Sequence, residues 1–171
     1  MVRGACTTTE IAAYVSACLS KAATPSSCSA WRGDGGACAS CLTANLEPSP
    51  VWGPVICTAP SGTCGLNEGG CVDLVLGAAD AGGGSCGAAI TASNACENYV
   101  CGTCSTMADR QACVQQADSN ECSMYFQQLV STTGVCAALQ PEAGPPLVAA
   151  CFPTDDASDA TFLSIFCGAG P

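Results

Sequence analysis

An all-α fold of short helices, cross-linked by about eight disulfides and joined by Pro/Gly-rich connectors, is what the sequence predicts. Three observations carry that expectation. Seventeen cysteines stand in 171 residues, the density of a disulfide scaffold. Aromatics make up only 5% of the chain, so a core of mostly Ala and Cys buries little apolar area and needs cross-links to offset the entropy of ordering. Apolar residues recur at helical spacing behind recognisable caps along most of the chain.

The elements follow in order. Thr7-x-x-Glu10 is a capping box that opens a helix over 7–22, with Ile11, Tyr14, Val15, Cys18 and Ala22 on one face. Thr24-Pro25 reads as an N-cap followed by Pro at the first helical position. It starts a short turn of helix through Cys28 and Trp31, which Arg32-Gly33-Asp34-Gly35-Gly36 breaks. A third helix over 37–46 carries Cys38, Cys41, Leu42 and Leu46. Four prolines between Glu47 and Gly65 exclude a helix there. The expected domains are a small helical lobe (1–46), a Pro-rich ordered connector (47–66) that packs Trp52 and Ile56 inward, and a larger helical lobe (67–171). The lobes can also close into one compact domain.

In the larger lobe, Cys71, Leu74, Val75 and Ala78 form one helical face, closed by Gly82-Gly83-Gly84. Ser85 caps a helix bearing Cys86, Ala89, Ile90, Cys96 and Val100, and Thr106 with Asp109 starts another over 107–117. Cys122, Tyr125, Phe126, Leu129 and Val130 give the clearest amphipathic pattern, with Gly134 as its stop. After Pro141, Pro145 and Pro146, Thr154 or Asp155 caps a last helix, Ala157–Cys167, with Phe162, Leu163, Phe166 and Cys167 inward and Gly168 ending it.

The cysteine spacing bears on redox state. There is no Cys-Cys, no Cys-x-Cys and no i,i+4 pair, the arrangements that let thiolates converge on shared metal ions. The framework expected to be oxidised is Cys6, Cys18, Cys28, Cys38, Cys41, Cys57, Cys64, Cys71, Cys86, Cys96, Cys101, Cys104, Cys113, Cys122, Cys136, Cys151 and Cys167. The odd count leaves at least one of them unpaired within the chain. Five crowd into the 27 residues Cys96–Cys122, whose sulfurs are expected to reach several helices and tie the larger lobe together.

Composition excludes much. The net charge is −10 with four cations, so nucleic acid and anionic membrane surfaces are disfavoured partners. No apolar run is long enough to span a bilayer. The opening MVRGACTTTE is too short and polar for a signal peptide, so the reading is that a leader was removed and Met1 is not native. With no histidine, c-type haem attachment, Ser–His and Cys–His nucleophiles and His-ligated zinc are absent. Cys38-Ala-Ser-Cys41 and Cys101-Gly-Thr-Cys104 stand too far apart for a common zinc ribbon and lack a βαβ setting for a redox dithiol, so both read as structural. Arg32-Gly33-Asp34 reads as an ordinary turn, Asp155, Asp156 and Asp159 as a helix start, and Lys21 as a surface lysine.

Two resemblances arise. Cys38–Asn45, Val51-Trp52-Gly53-Pro54, Glu68-Gly69-Gly70-Cys71-Val72 and Phe166–Pro171 are similar to uncharacterised cysteine-rich, helical secreted proteins of predatory soil bacteria. This likeness covers most of the chain and implies export and disulfide-linked helices; it carries no assigned activity. Ala5-Cys6-Thr7-Thr8-Thr9-Glu10, Ala12-Ala13-Tyr14-Val15 and Cys28-Ser29 resemble the opening of elicitins, small all-α sterol carriers. That likeness implies that Cys6 and Cys28 are structural and that Tyr14 lies near lipid-holding helices. It ends after Ser29.

The functional expectation is a secreted or cell-surface, acidic, non-enzymatic protein with a structural or interaction role, without cofactor, catalytic residue or metal site. Its expected partner is another protein, or a second copy, reached through the unpaired cysteine. The alternatives are an extracellular lipid or sterol carrier, with an apolar cavity between helices of the larger lobe, and a thiolate metal-storage protein.

Overall fold

The computed structural model describes residues 4–34, 36–43, 53–58, 63–77, 84–139 and 146–169. It is mostly helical, as predicted. The first helix, α1 (Thr8–Tyr14), begins at the predicted capping box: Glu10 N–H donates to Thr7 Oγ1 at 3.2 Å and Thr7 N–H to Glu10 Oε2 at 2.7 Å. It then widens into a π-helical turn, Val15–Leu19, in which Ser20 N–H reaches Val15 C=O at 2.8 Å. Ile11, Tyr14 and Val15 are buried as expected, whereas Ala22 is exposed beyond the helix end. Next come α2 (Pro25–Asp34) and α3 (Gly36–Leu42). Thr24 Oγ1 accepts from Ser27 N–H at 3.0 Å, so the predicted cap holds, but α2 continues through Arg32-Gly33-Asp34 where a break was expected.

Part of the connector is a β-hairpin, which the sequence reading did not foresee. Its strands β1 (Val55–Thr58) and β2 (Thr63–Leu66) pair antiparallel, with Cys57 opposite Cys64 in the Cα register. The side chains of Cys57 and Cys64, and Trp52 altogether, lie outside the described residues. Among the described residues here Gly53, Pro54 and Val55 are buried, while Ile56 is only half-buried. Asn67 anchors the hairpin to the next helix: its Nδ2 donates to Gly53 C=O at 2.9 Å and its Oδ1 accepts from Gly70 N–H at 2.9 Å.

The remaining helices are α4 (Glu68–Val75), α5 (Cys86–Cys101), α6 (Met107–Ser119), α7 (Ser123–Val130) and α8 (Asp156–Cys167), with 3₁₀ turns at Ala137–Leu139 and Pro146–Cys151. Ser85, Thr106 and Asp155 supply the predicted N-caps of α5, α6 and α8. In α4 the buried residues run consecutively from Gly69 to Asp73, not along the expected face of Cys71, Leu74 and Val75. The helix is central, packed by α5, by α8 and by the 146–151 turn, so it has no solvent side to define a stripe. Ala78 and Gly82-Gly83 lie outside the described residues.

The α4–α5 crossing is unusually close. A Cβ on Gly69 or Gly87 would overlap the carbonyl oxygen of the other. The most amphipathic segment by sequence, α7, has no buried residue, and it ends at Ser131 before the predicted stop at Gly134. The deepest apolar residues belong to α8 instead, where Phe162, Leu163, Phe166 and Cys167 are fully buried. One core runs through Ile11, Tyr14, Leu42, Val72, Ile90 and these α8 residues, and so joins both ends of the chain. Cys101, Ala117 and Cys122 form a second, smaller core where α5, α6 and α7 meet.

Candidate functional site

Seven disulfides are described: Cys6–Cys38, Cys18–Cys28, Cys41–Cys167, Cys71–Cys151, Cys86–Cys136, Cys96–Cys122 and Cys101–Cys113. Cys38 and Cys41 stand three apart on α3 and reach different segments, the first tying the start of the chain and the second tying α8. Backbone bonds reinforce this closure, with Gly4 N–H donating to Gly168 C=O at 2.8 Å and Cys6 N–H to Cys167 C=O at 2.9 Å. The cysteines of Cys96–Cys122 behave differently from expectation. Cys96 pairs with Cys122 and Cys101 with Cys113, so the stretch is stapled to itself and does not tie the whole larger lobe.

Cys104 is the unpaired cysteine among the described residues. It is half-buried in the loop between α5 and α6 and packs against the smaller core, as Cys113 and Val114 also do. On the two helices that flank its loop, Tyr99 of α5 is 89% exposed and Met107 at the start of α6 is 82% exposed. Arg110 of α6 hydrogen-bonds Asn98 of α5 across the same junction.

Glu68 of α4 and Asp118 of α6 lie close enough to Glu97 of α5 to act on its carboxyl group. Burial pushes the Glu97 carboxyl above the ordinary glutamate range; Asp118 and Glu68 push the same way, while the Ser93 hydroxyl and Arg110 oppose them. Burial also raises Glu68, against a hydrogen bond from Asn94 Nδ2 at 3.3 Å. Asp118 Oδ1 is buried without a hydrogen-bond partner. Asp73 is fully buried; it accepts from Ser85 Oγ at 2.6 Å and Gly87 N–H at 2.7 Å, which places its carboxyl group at the amino end of α5.

A half-open groove of about 530 Å³ lies between the start of α1 and α8. Thr7, Thr8, Thr161 and Ser164 line it with hydroxyls, and Ile11 and Ile165 supply its apolar wall. Tyr14 is not among its walls, being buried edge-to-face against Trp31 with ring centroids 4.9 Å apart. The other sequence candidates are dispersed. Arg32-Gly33-Asp34 sits in the last turn of α2, and Lys21 is exposed after the π-helical turn. Asp155 caps α8 through Ser158 N–H at 2.8 Å, a bond that holds its carboxyl below the usual aspartate range. Burial and the neighbouring Asp156 and Asp155 raise Asp159.

No helix among the described residues is long and apolar enough to cross a membrane. No family model matches the chain, and no curated protein or solved structure matches it.

Proposed function

We propose that this protein is an extracellular, non-enzymatic module whose disulfides hold short helices in a protease-resistant form and whose Cys104 thiol is a point of covalent attachment to a partner protein or a second copy. The observation that carries this reading is the distribution of the bridges. They tie the beginning of the chain to α3 and α3 to α8, and they leave one described thiol, the half-buried Cys104 in the α5–α6 loop. Bridges in this number persist in oxidising compartments, and the likeness to secreted cysteine-rich proteins agrees with that location. The thiolate metal store draws no support, because the bridged sulfurs cannot serve as thiolate ligands. The test is limited proteolysis of the oxidised and the reduced, alkylated chain, with a non-reducing gel of protein recovered from its native source. Slow digestion only when oxidised, with a species of higher mass that disappears in Cys104→Ser, supports the proposal. Equal digestion rates and an unlinked chain contradict it.

The α1–α8 groove favours a second reading, carriage of a small neutral amphipathic ligand, since among the described residues no charged side chain lines it. It lies between the first and last helices, not among helices of the larger lobe alone as the sequence reading had placed it. Solvent extraction and mass spectrometry of natively purified protein decide this reading: a bound lipid in near-stoichiometric amount supports it, and a clean extract ends it.

A further inference from the structure

We propose that Cys104 and the Cys101–Cys113 bridge form a built-in thiol–disulfide exchange unit, through which the free thiol passes from the α5–α6 loop to the middle of α6. Cys104 is not an isolated thiol. It packs against the small core that contains Cys101 and Cys122, with Cys113 packed against the same core. Its amide donates to Cys101 C=O at 3.1 Å, closing a four-residue turn. Such a turn holds its end Cα atoms within about 7 Å, the range in which a disulfide forms without backbone rearrangement. The existing bridge from Cys101 to Cys113 spans a Cα–Cα distance of 5.8 Å. Cys101 therefore has two partners within reach, one bonded and one waiting.

The exchange is balanced without an external oxidant or reductant. The Cys104 thiolate attacks Cys101 Sγ, the Cys101–Cys113 bond breaks as the Cys101–Cys104 bond forms, and Cys113 leaves as a thiolate that takes up the proton Cys104 gave up. The product carries an oxidised Cys101-Gly-Thr-Cys104 and a thiol on α6. It has lost the covalent tie between α5 and α6, which are then held by the Arg110–Asn98 hydrogen bond and by the packing of Val114 and Ala117. The inference goes beyond the attachment role and does not rest on it, because a chain with no covalent partner gives the same pattern of thiols.

The experiment is a thiol map of the unreduced protein. It is alkylated with N-ethylmaleimide either at once under mildly acidic conditions or after incubation in mildly alkaline buffer without reductant, then digested and read by mass spectrometry. Label is expected on Cys104 at the start and divided between Cys104 and Cys113 after incubation, together with a new peptide linked through Cys101 and Cys104. Cys104→Ser should lose both the Cys113 label and that linked peptide. Label that stays on Cys104 throughout overturns the proposal. So does label that moves to Cys96, Cys101 or Cys122, or spreads over the remaining bridges, since that marks a different attack or general scrambling. The wild-type map decides by itself if the variant fails to fold.

Discussion

Asp73 carries a carboxylate into the interior, where Ser85 Oγ and Gly87 N–H are both committed to it. Asp73→Ala strands those two donors, so we expect a loss of about 1–3 kcal/mol in chemical unfolding. Asp73→Asn, which keeps one acceptor oxygen, should lose less. Gly87 sits in the same junction, and a methyl group there meets the Gly69 carbonyl and the Asp73 carboxylate at once. Gly87→Ala should cost about 1–3 kcal/mol, as overpacking does; an unchanged unfolding midpoint would show that the crossing is looser than described. Glu97 gives a pH signature. Its folded-state pKa is raised above the ordinary value of 4.5 by burial first and by Asp118 next. The folded chain therefore keeps this proton to higher pH than the unfolded chain does. Its contribution to stability is fully present below the ordinary value and is lost as pH rises through the raised one. Glu97→Gln should flatten that slope and leave the protein more stable at neutral pH. Unfolding curves across the acid range check it, and an unchanged slope contradicts it.

At the scale of elements, the helix starts were legible because a cap is written in three or four adjacent residues. Thr7 with Glu10, Ser85, Thr106 with Asp109, and Asp155 each bond the backbone that immediately follows. What surrounds a helix is not local, and there the reading failed. The periodicity of α7 marks the right face but not its depth: Tyr125, Phe126 and Leu129 are only half-buried, and Val130 is exposed. The hairpin was hidden for another reason. Val55-Ile56-Cys57-Thr58 and Thr63-Cys64 flank a Pro-Ser-Gly stretch, a strand–turn–strand signal masked by the weight given to proline as a helix breaker. The two amphipathic helices give a contrasting pair of measurements. Phe162→Ala in α8 empties the core and should cost about 3–5 kcal/mol. Met124→Ser on the exposed side of α7 should stay within about 0.5 kcal/mol of wild type in the same assay. A large effect at Met124 would mean that α7 is covered.

For the whole molecule, cysteine spacing predicted oxidation and an odd thiol, but connectivity depends on which helices meet, and no sequence distance encodes that. Cys41 bonds Cys167 across a separation of 126 residues, whereas Cys18 bonds Cys28 across 10. Removing the longer bridge frees more of the unfolded chain, although Cys71–Cys151 already shortens that loop. Cys41→Ser with Cys167→Ser should therefore lose roughly 1–2 kcal/mol more than Cys18→Ser with Cys28→Ser. The central claim is that the chain is an oxidised, self-stapled helical module with its free thiol at Cys104. Peptide mapping of freshly isolated, alkylated and unreduced protein tests it most directly. We expect the seven described linkages as linked peptides, no alkyl label on the bridged cysteines, and Cys104 outside all seven linkages, alkylated in unattached chains or joined to a partner's peptide. Label on many of those cysteines, or a linkage from Cys96 or Cys101 to a partner outside Cys96–Cys122, would contradict it.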